Sequence, residues 1–456
     1  MTAAFLTAAE TSFLDVLMLS NWNTRVVVLG VTALGMAGGV VGSFMLLRRR
    51  ALLGDALSHA TLPGIVLAFL IASALGMGAK SYGLLMIGAL CSGVLGIFAV
   101  HWLTRSGRLT EDSALGVVLS TFFGAGAALL GLAQQESNAS AAGLETFIYG
   151  KTASMLVRDA AVIATTSLVT ITTCLVFFKE LRLICFDQEY ARGRGMRTGG
   201  YDLLLMAMVI AVVVVGLQAV GLVLVIAVLV IPPAAARFWT NRTGRMLFTA
   251  GIIGGLGGWS GTLSSALAPD LPAGAMVVLA LGTIFVISLI FGRQRGLLRR
   301  AFRLKRRARS MERDHALRAI WESLEHSGEE KCLKEEIAMR GGLATAATPR
   351  RLERAGLIVI HDTPHHTSIS FTPQGEKAAS EVVRRHRLWE YYLIRRADFD
   401  EDHVDRGADD LEHLLPLGLL DELERELEKE LQTERGLIPP SPHPLAIPVR
   451  KRGGTP

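Results

Sequence analysis

From residue 26 to residue 292 one apolar segment follows another, and each is long enough to cross a bilayer. Hydrocarbon offers no water to a backbone amide, so runs of about 20 apolar residues are read as spanning helices that bond internally. Such runs lie near 26–47, 57–76, 82–103, 114–133, 159–178, 246–267 and 273–292. The stretch 202–232 is too long for one crossing of about 20 residues, and Gly216 and Gly221 stand near its middle.

Charge decides how that stretch runs. Cytoplasmic loops of membrane proteins carry the excess of Lys and Arg. Arg48, Arg49 and Arg50, the loop with Arg105 and Arg108, and the loop from Lys179 to Arg197 are therefore placed inside. Arg237, Arg242 and Arg245 join them only if 202–232 crosses twice, as two short or broken helices. The basic run Arg293 to Arg309 then also lies inside, with everything after it. This counting gives about nine crossings with the N-terminus outside, or about eight if one half only re-enters.

The remaining composition excludes several classes. The chain has 47 glycines, suited to close helix packing in a membrane. Its net charge of +6 sits largely in basic runs beside apolar segments, where it sets orientation rather than recruiting nucleic acid. Cys91, Cys174, Cys185 and Cys332 are scattered without a CxxC pair, against a disulfide framework or a thiolate zinc cluster. MTAAFLTAAETSFLDVL has no basic n-region before a clean apolar core, so it is read as an amphipathic segment rather than a signal peptide.

From about residue 303 charged residues recur every two or three positions, the pattern of a soluble domain. The expected division is a membrane domain over 1–295, a basic linker over 296–311, a winged-helix-like domain over 312–375, a helical domain over 376–448 and a tail over 449–456. Helices are expected near 312–326, 333–340, 374–396, 405–415 and 417–432, and strands near 357–361 and 367–372. Helix, helix, basic segment and two strands is the order of a winged helix-turn-helix, in which FTPQG closes the wing and Arg350, Arg351 and Arg354 would meet phosphates.

Two constellations suit metal. In LLRRRALLGDALSHATLPG, Asp55 and His59 are four apart, on one helix face. Carboxylate plus imidazole suits Mn²⁺, Fe²⁺ or Zn²⁺, and ionisable groups inside a bilayer usually face a pathway. The plainer alternative makes Asp55 interfacial and His59 a packing hydrogen bonder. In the soluble half, His386 and Glu390 are four apart, and Asp409, Glu412 and His413 fall at i, i+3 and i+4. These form either an N/O metal set or a solvated helix face. Gly150-Lys151-Thr152 mimics the end of a phosphate-binding loop, but Glu145 stands where the first glycine is required.

Four motifs in order resemble the permease subunits of zinc, manganese and iron uptake ABC transporters. They are GMAGGVVGSFMLLRRRALLGDALSHATLPG, EDSALGVVLSTFF, KELRLICFDQEYARGRGM and LQAVGLVLVIAVLVIPPAAAR. The resemblance implies a divalent metal (Mn, Zn or Fe) as substrate, with Asp55 and His59 lining its route. Phe186, Asp187, Ala191 and Gly195 look like that family's ATPase-docking loop, which without the resemblance would be an ordinary amphipathic loop. It further implies a separate ATPase subunit, an external metal-binding protein and a second permease chain, with no nucleotide bound here and no enzymatic activity in this chain. The expected location is the bacterial cytoplasmic (inner) membrane, multi-pass.

RHRLWEYYL, GADDLEH and SPHPLAIP resemble the metal-binding and dimerisation domain of diphtheria-toxin-repressor-type iron and manganese regulators. That likeness, over about 311–448, implies a regulatory metal held by His386, Glu390, Asp409, Glu412 and His413, with His315 as an N-terminal ligand. Asp405 replaces a frequent histidine, though His403 is close by. Asp409 stands where iron-type members carry cysteine, which leans toward manganese or zinc. DNA is the implied partner, but Ile337–Gly356 is short for a recognition helix and contains Pro349, which helices tolerate only in the first turn. The fold class expected is thus an all-α polytopic membrane domain plus a cytosolic winged-helix and helical dimerisation domain. The alternatives are a membrane-tethered or proteolytically released metal-dependent repressor, and an ATP-independent channel or carrier.

Overall fold

The computed structural model describes residues 21–50, 52–75, 82–105, 107, 109–135, 155–267, 271–339 and 347–396. The chain divides into two units, Met1–Arg300 and Ala301–Pro456. The first contains helices α1 (Trp22–Leu47), α2 (Leu53–Ala74), α3 (Tyr82–Arg105), α4 (Glu111–Gln135) and α5 (Val157–Val176). Two short helices follow, α6 (Phe178–Phe186) and α7 (Gln188–Gly193). Then come α8 (Thr198–Val220), α9 (Leu222–Trp239), α10 (Thr243–Leu267) and α11 (Ala273–Phe291). Among the described residues seven of these, α1 to α5, α8 and α11, are long and apolar enough to cross a membrane. The shorter α9 and the glycine-rich α10 pack among them, against α1 and α11.

Small residues let these helices touch backbone to backbone, which dispersion-driven packing in lipid requires. A Cβ on Gly35 would overlap the Gly254 carbonyl, and a Cβ on Gly254 would overlap that of Gly35. Gly39 meets Ala250 and Gly258 meets Val31, so α10 runs antiparallel to α1. On α2 and α3, Gly64 faces Gly88 while Ala60 faces Gly96, the same antiparallel arrangement.

The long stretch 202–232 is two helices. Gly221 separates α8 from α9 with φ 83°, a conformation open to glycine and costly for other residues. Val225 of α9 lies beside Gly216 of α8, so the chain doubles back. Asp202, near the start of α8, pairs with Arg48 and Arg50, just past the end of α1. Near the end of α9, the Phe238 carbonyl accepts from the Gln294 amide at 2.8 Å, just past α11. A Cβ on Gly274, at the start of α11, would stand 3.1 Å from the Val220 carbonyl. The starts of α8 and α10 and the ends of α1, α9 and α11 therefore gather at one end of the bundle. Arg48, Arg50, Arg237, Arg242 and Arg293 gather there with them.

The expected linker over 296–311 is itself helical, because α12 runs unbroken from Leu297 to Ser327. Its first half is exposed and basic, and an apolar face begins only with Ala316, Leu317 and Ile320. A short strand missed in the sequence, β1 (Cys332–Leu333), precedes α13 (Lys334–Met339) and α14 (Thr348–Arg354). β2 (Ile358–Asp362), β3 (Thr367–Phe371) and α15 (Pro373–Arg396) complete the described part of the second unit. The sheet is antiparallel in the order β1-β3-β2, with Ile360 opposite Ile369. Ile337, Leu352, Ile358, Ile369 and Ala379 close its core against α12. Pro349 falls in the first turn of α14, where its missing N–H costs nothing. The segment 1–20, Gly150-Lys151-Thr152, residues 340–346 and the helices expected near 405–415 and 417–432 lie outside the described residues.

With α8 and α9 as separate passes, the α7–α8 and α9–α10 connections face the same compartment. Single cysteines placed at Arg194 and Asn241 in a cysteine-free background should both label from the cytoplasmic side only. Labelling from opposite sides would mean that 198–239 crosses once.

Candidate metal sites

The first site begins at a turn. After α1 ends, Arg49 adopts φ 59°, unusual for a residue other than glycine, and the Leu53 amide bonds back to the Arg50 carbonyl at 3.0 Å. Charge holds this turn in place. Arg50 Nη1 donates to Asp202 Oδ1 at 2.6 Å, and Arg48 bonds the same oxygen. Arg50 also pairs with Glu111 at the start of α4. Arg48, Arg50 and Asp202 are largely buried, so removing one partner would leave its mates charged and uncompensated. A second, polar cavity of about 540 Å³ adjoins this network, lined in part by Arg49, Cys185, Phe186 and Arg237.

That turn launches α2, whose first turn carries Asp55 and whose second carries His59. Nε2 of His59 lies 3.4 Å from Oδ1 of Asp55. Asp55 is the one charged side chain on a cavity of about 400 Å³ whose other walls are Leu52, Ile226, Ala227, Val230, Ile231 and Val278. The His59 ring meets the edge of Phe123 at 4.9 Å, and its buried Nδ1 has no hydrogen-bond partner. A carboxylate on the cavity wall and an imidazole packed against Phe123 are thus held side by side. They supply one oxygen and one nitrogen donor, a set suited to a borderline divalent cation as substrate. Among the described residues no group of three or more His, Cys, Asp or Glu side chains is placed to hold an ion. The described residues of one chain therefore offer only part of a coordination shell here.

α6 and α7 meet at Asp187 at the basic end. Asp187 caps α7, its Oδ1 accepting from the Tyr190 amide at 2.8 Å. Ala191 is fully buried, and Gly195 ends the element with φ 78°. Phe186 and Tyr190 are exposed. The structure thus gives Asp187, Ala191 and Gly195 shape-setting positions and leaves two aromatic rings on the surface.

In the second unit, His386 and Glu390 are brought together on α15, 1% and 0% exposed, with Nε2 and Oε1 3.3 Å apart. Facing them from α12 is Arg318, which the sequence reading missed. Its Nη1 lies 2.9 Å from Nδ1 and 2.7 Å from Nε2 of His386, and its Nε lies 3.5 Å from Glu322 Oε1. The two carboxylates and imidazole are a plausible donor chemistry, yet a guanidinium already engages the imidazole. As arranged, the set does not fit a metal. His315 is on α12, one turn before Arg318. Asp409, Glu412 and His413 lie outside the described residues. Cys332 offers no thiolate, because burial, followed by the nearby Glu336 charge, pushes its thiol up to about 12. On α14, Arg351 donates to Glu312 Oε2 at 3.1 Å, while Arg350 and Arg354 are exposed.

Arg318 and Asp202 could have been suspected. Arg318 is i+3 from His315 and i−4 from Glu322, on the face that carries Asp314 and Leu317 inward. Asp202 is a lone carboxylate at the head of an apolar run, which needs a cationic partner.

Residues 22–292 match the family model described as the ABC 3 transport family. Residues 372–438 match that of the iron dependent repressor, metal binding and dimerisation domain. The manganese transport system membrane protein MntC of Bacillus subtilis is 36% identical over 395 residues, 85% of this chain and 89% of that protein. The zinc transport system membrane protein TroC of Treponema pallidum is 40% identical over 63% of this chain and 95% of its own length. The solved structure of PsaBC from Streptococcus pneumoniae in complex with Fab matches with a TM-score of 0.53 at 26% identity. It covers 67% of this chain and 100% of that one.

Replacing Asp202 with alanine should destabilise the membrane unit by about 3 kcal/mol, the cost of stranding buried charge. A clear fall in melting temperature of the purified protein in detergent checks this; an unchanged melting curve would show that the arginines find other partners.

Proposed function

This chain belongs to the ABC 3 transport family, and on that premise we propose that it is the membrane permease of an ATP-driven uptake transporter for a divalent metal ion. Mn²⁺, Zn²⁺ and Fe²⁺ are the candidate substrates, and the second unit is a cytosolic metal-sensing regulator. The observation that carries the reading is the Asp55–His59 pair, 3.4 Å apart, with Asp55 on the wall of an apolar cavity. Two relatives carry manganese and zinc in their names, and both ions accept mixed nitrogen and oxygen ligands.

Half a coordination shell suits a transit site, which must bind well enough to admit the ion and weakly enough to release it. A second permease chain would supply the other half, two carboxylates and two imidazoles in all. Aliphatic walls strengthen the attraction of the carboxylate for a cation by excluding water. An external metal-binding protein delivers the ion, and a separate ATPase subunit drives alternating access. The exposed Phe186 and Tyr190 are the docking points for that ATPase. Asp187 stiffens the short helix behind them, so that a push on α6 and α7 reaches the arginine turn through Cys185, whose thiol lies 3.8 Å from the Phe44 carbonyl.

The basic end of the bundle is the cytoplasmic one by the positive-inside rule. α11 ends there, which supports the reading of a cytosolic second unit in a bacterial inner-membrane protein. Metal sensing is favoured over gene repression because α14, the helix that would read DNA, spans only Thr348–Arg354. His315, His386, Glu390, Asp409, Glu412 and His413 are the proposed sensor residues.

Asp55→Ala and His59→Ala should each abolish metal accumulation, measured with isotopic manganese and zinc in cells expressing the transporter, while assembly with the ATPase survives. Normal accumulation by both variants at wild-type protein levels would remove the pair from the route.

A further inference from the structure

We propose that the first half of α12, residues 297–311, is a surface anchor that binds the anionic phospholipid headgroups of the leaflet at which α11 ends. The inference needs only that α11 spans the bilayer, so it stands whether or not the second unit senses metal.

Every charged residue in this run is Arg or Lys, from Arg299 to Arg309, and the first acid after α11 is Glu312. Every residue of the run is also exposed. Arg299 and Arg303, Arg303 and Arg307, and Lys305 and Arg309 stand four apart, where like charges repel along a helix. A helix this exposed draws little stability from packing, and its surface pairs oppose it. An anionic surface converts that repulsion into attraction, because it draws each basic residue that comes near.

Position selects the surface. Only Gly292 to Gly296 separate α12 from α11, whose apolar length suits a bilayer. At a rise of about 1.5 Å per residue the run extends about 20 Å beyond that junction. Headgroups are therefore the anionic groups that it meets at the highest local concentration. Apolar side chains point to the same partner. Leu297, Leu298, Phe302 and Leu304 are exposed, and all four fall in the part of the run nearer α11. Leu298 and Phe302 are about one turn apart and Leu297 and Leu304 about two, so each has an apolar neighbour on its own side of the helix. Such residues gain by entering the boundary between headgroups and acyl chains, while arginine stems lie along it with their charges in water. They add little on a nucleic acid, where affinity for the phosphates comes from the charges. Because α12 runs unbroken to Ser327, the anchor is continuous with a stiff helix rather than a loose linker.

The test is hydrogen exchange of the purified full chain in lipid nanodiscs, either of phosphatidylcholine alone or of phosphatidylcholine mixed with anionic phosphatidylglycerol. Amides of 297–311 should exchange about tenfold slower or more in the anionic discs, the equivalent of one or two basic residues engaged on the surface. Salt at about 1 M, where the Debye length is about 3 Å, should remove most of that protection. Arg303→Gln, Arg306→Gln and Arg307→Gln combined should remove it too, since glutamine keeps helix propensity without the charge. Unchanged exchange over 316–327 in that variant shows that its second unit is still folded. Equal exchange of 297–311 in the two kinds of disc would overturn the proposal, because headgroup charge would not be what holds the run. Undiminished protection in the glutamine variant would overturn it for the same reason. Protection that appears only when duplex DNA is added, and not with anionic lipid, would replace the anchor with a nucleic-acid site. None of these outcomes bears on metal binding or uptake, so the permease reading is tested separately.

Discussion

Arg48 and Arg50 converge on one carboxylate, Asp202, with Glu111 taking the other side of Arg50. Charges are tolerated at the rim of a hydrocarbon slab only when they are paired or hydrated. This knot ties the α1–α2 turn to the heads of α4 and α8. The start of α2 follows from that turn, and Asp55 and His59 follow from the start of α2. Shifting the turn by one residue would rotate both side chains by about 100° on the helix and swing Asp55 away from its cavity. Even the strained φ of Arg49 belongs to this arrangement, since it lets arginines on either side of it reach the same oxygen.

The rest of the membrane unit supplies rigidity. Gly35 against Gly254 and Gly64 against Gly88 bring backbones into contact, leaving no room for a side chain to adjust. Helices that cannot slide must move as bodies, which is the motion an alternating-access permease uses. α6 and α7 lie at the same end as the arginine knot, so force applied there would act where α2, the helix of Asp55 and His59, is anchored. The second unit contains a different kind of balance. There Arg318 of α12 lies against His386 of α15 and 3.5 Å from Glu322, joining the two helices.

Much of this was legible before any coordinates. The pair Asp55 and His59 needs only helical spacing and an apolar context. The split of 202–232 follows from the need to keep Arg237, Arg242 and Arg245 on the same side as Arg48. Pro349, counted in the sequence against a recognition helix, instead opens α14 in its first turn. Long-range pairing was not legible. Asp202 lies 154 residues from Arg48 and Arg318 lies 68 from His386, distances at which no local pattern survives. The helix over 297–311 escaped for another reason. Its charges show no polar and apolar alternation, so periodicity gave no sign that it continues into the amphipathic turn after Asp314.

The central claim is that Asp55 and His59 hold the ion in transit. Anomalous scattering at the zinc edge, from the assembled transporter prepared with Zn²⁺, tests it directly. The account predicts a peak about 2.0–2.2 Å from an Asp55 oxygen and a His59 nitrogen. A well-occupied zinc peak elsewhere in the membrane unit, with this pair vacant, would contradict it.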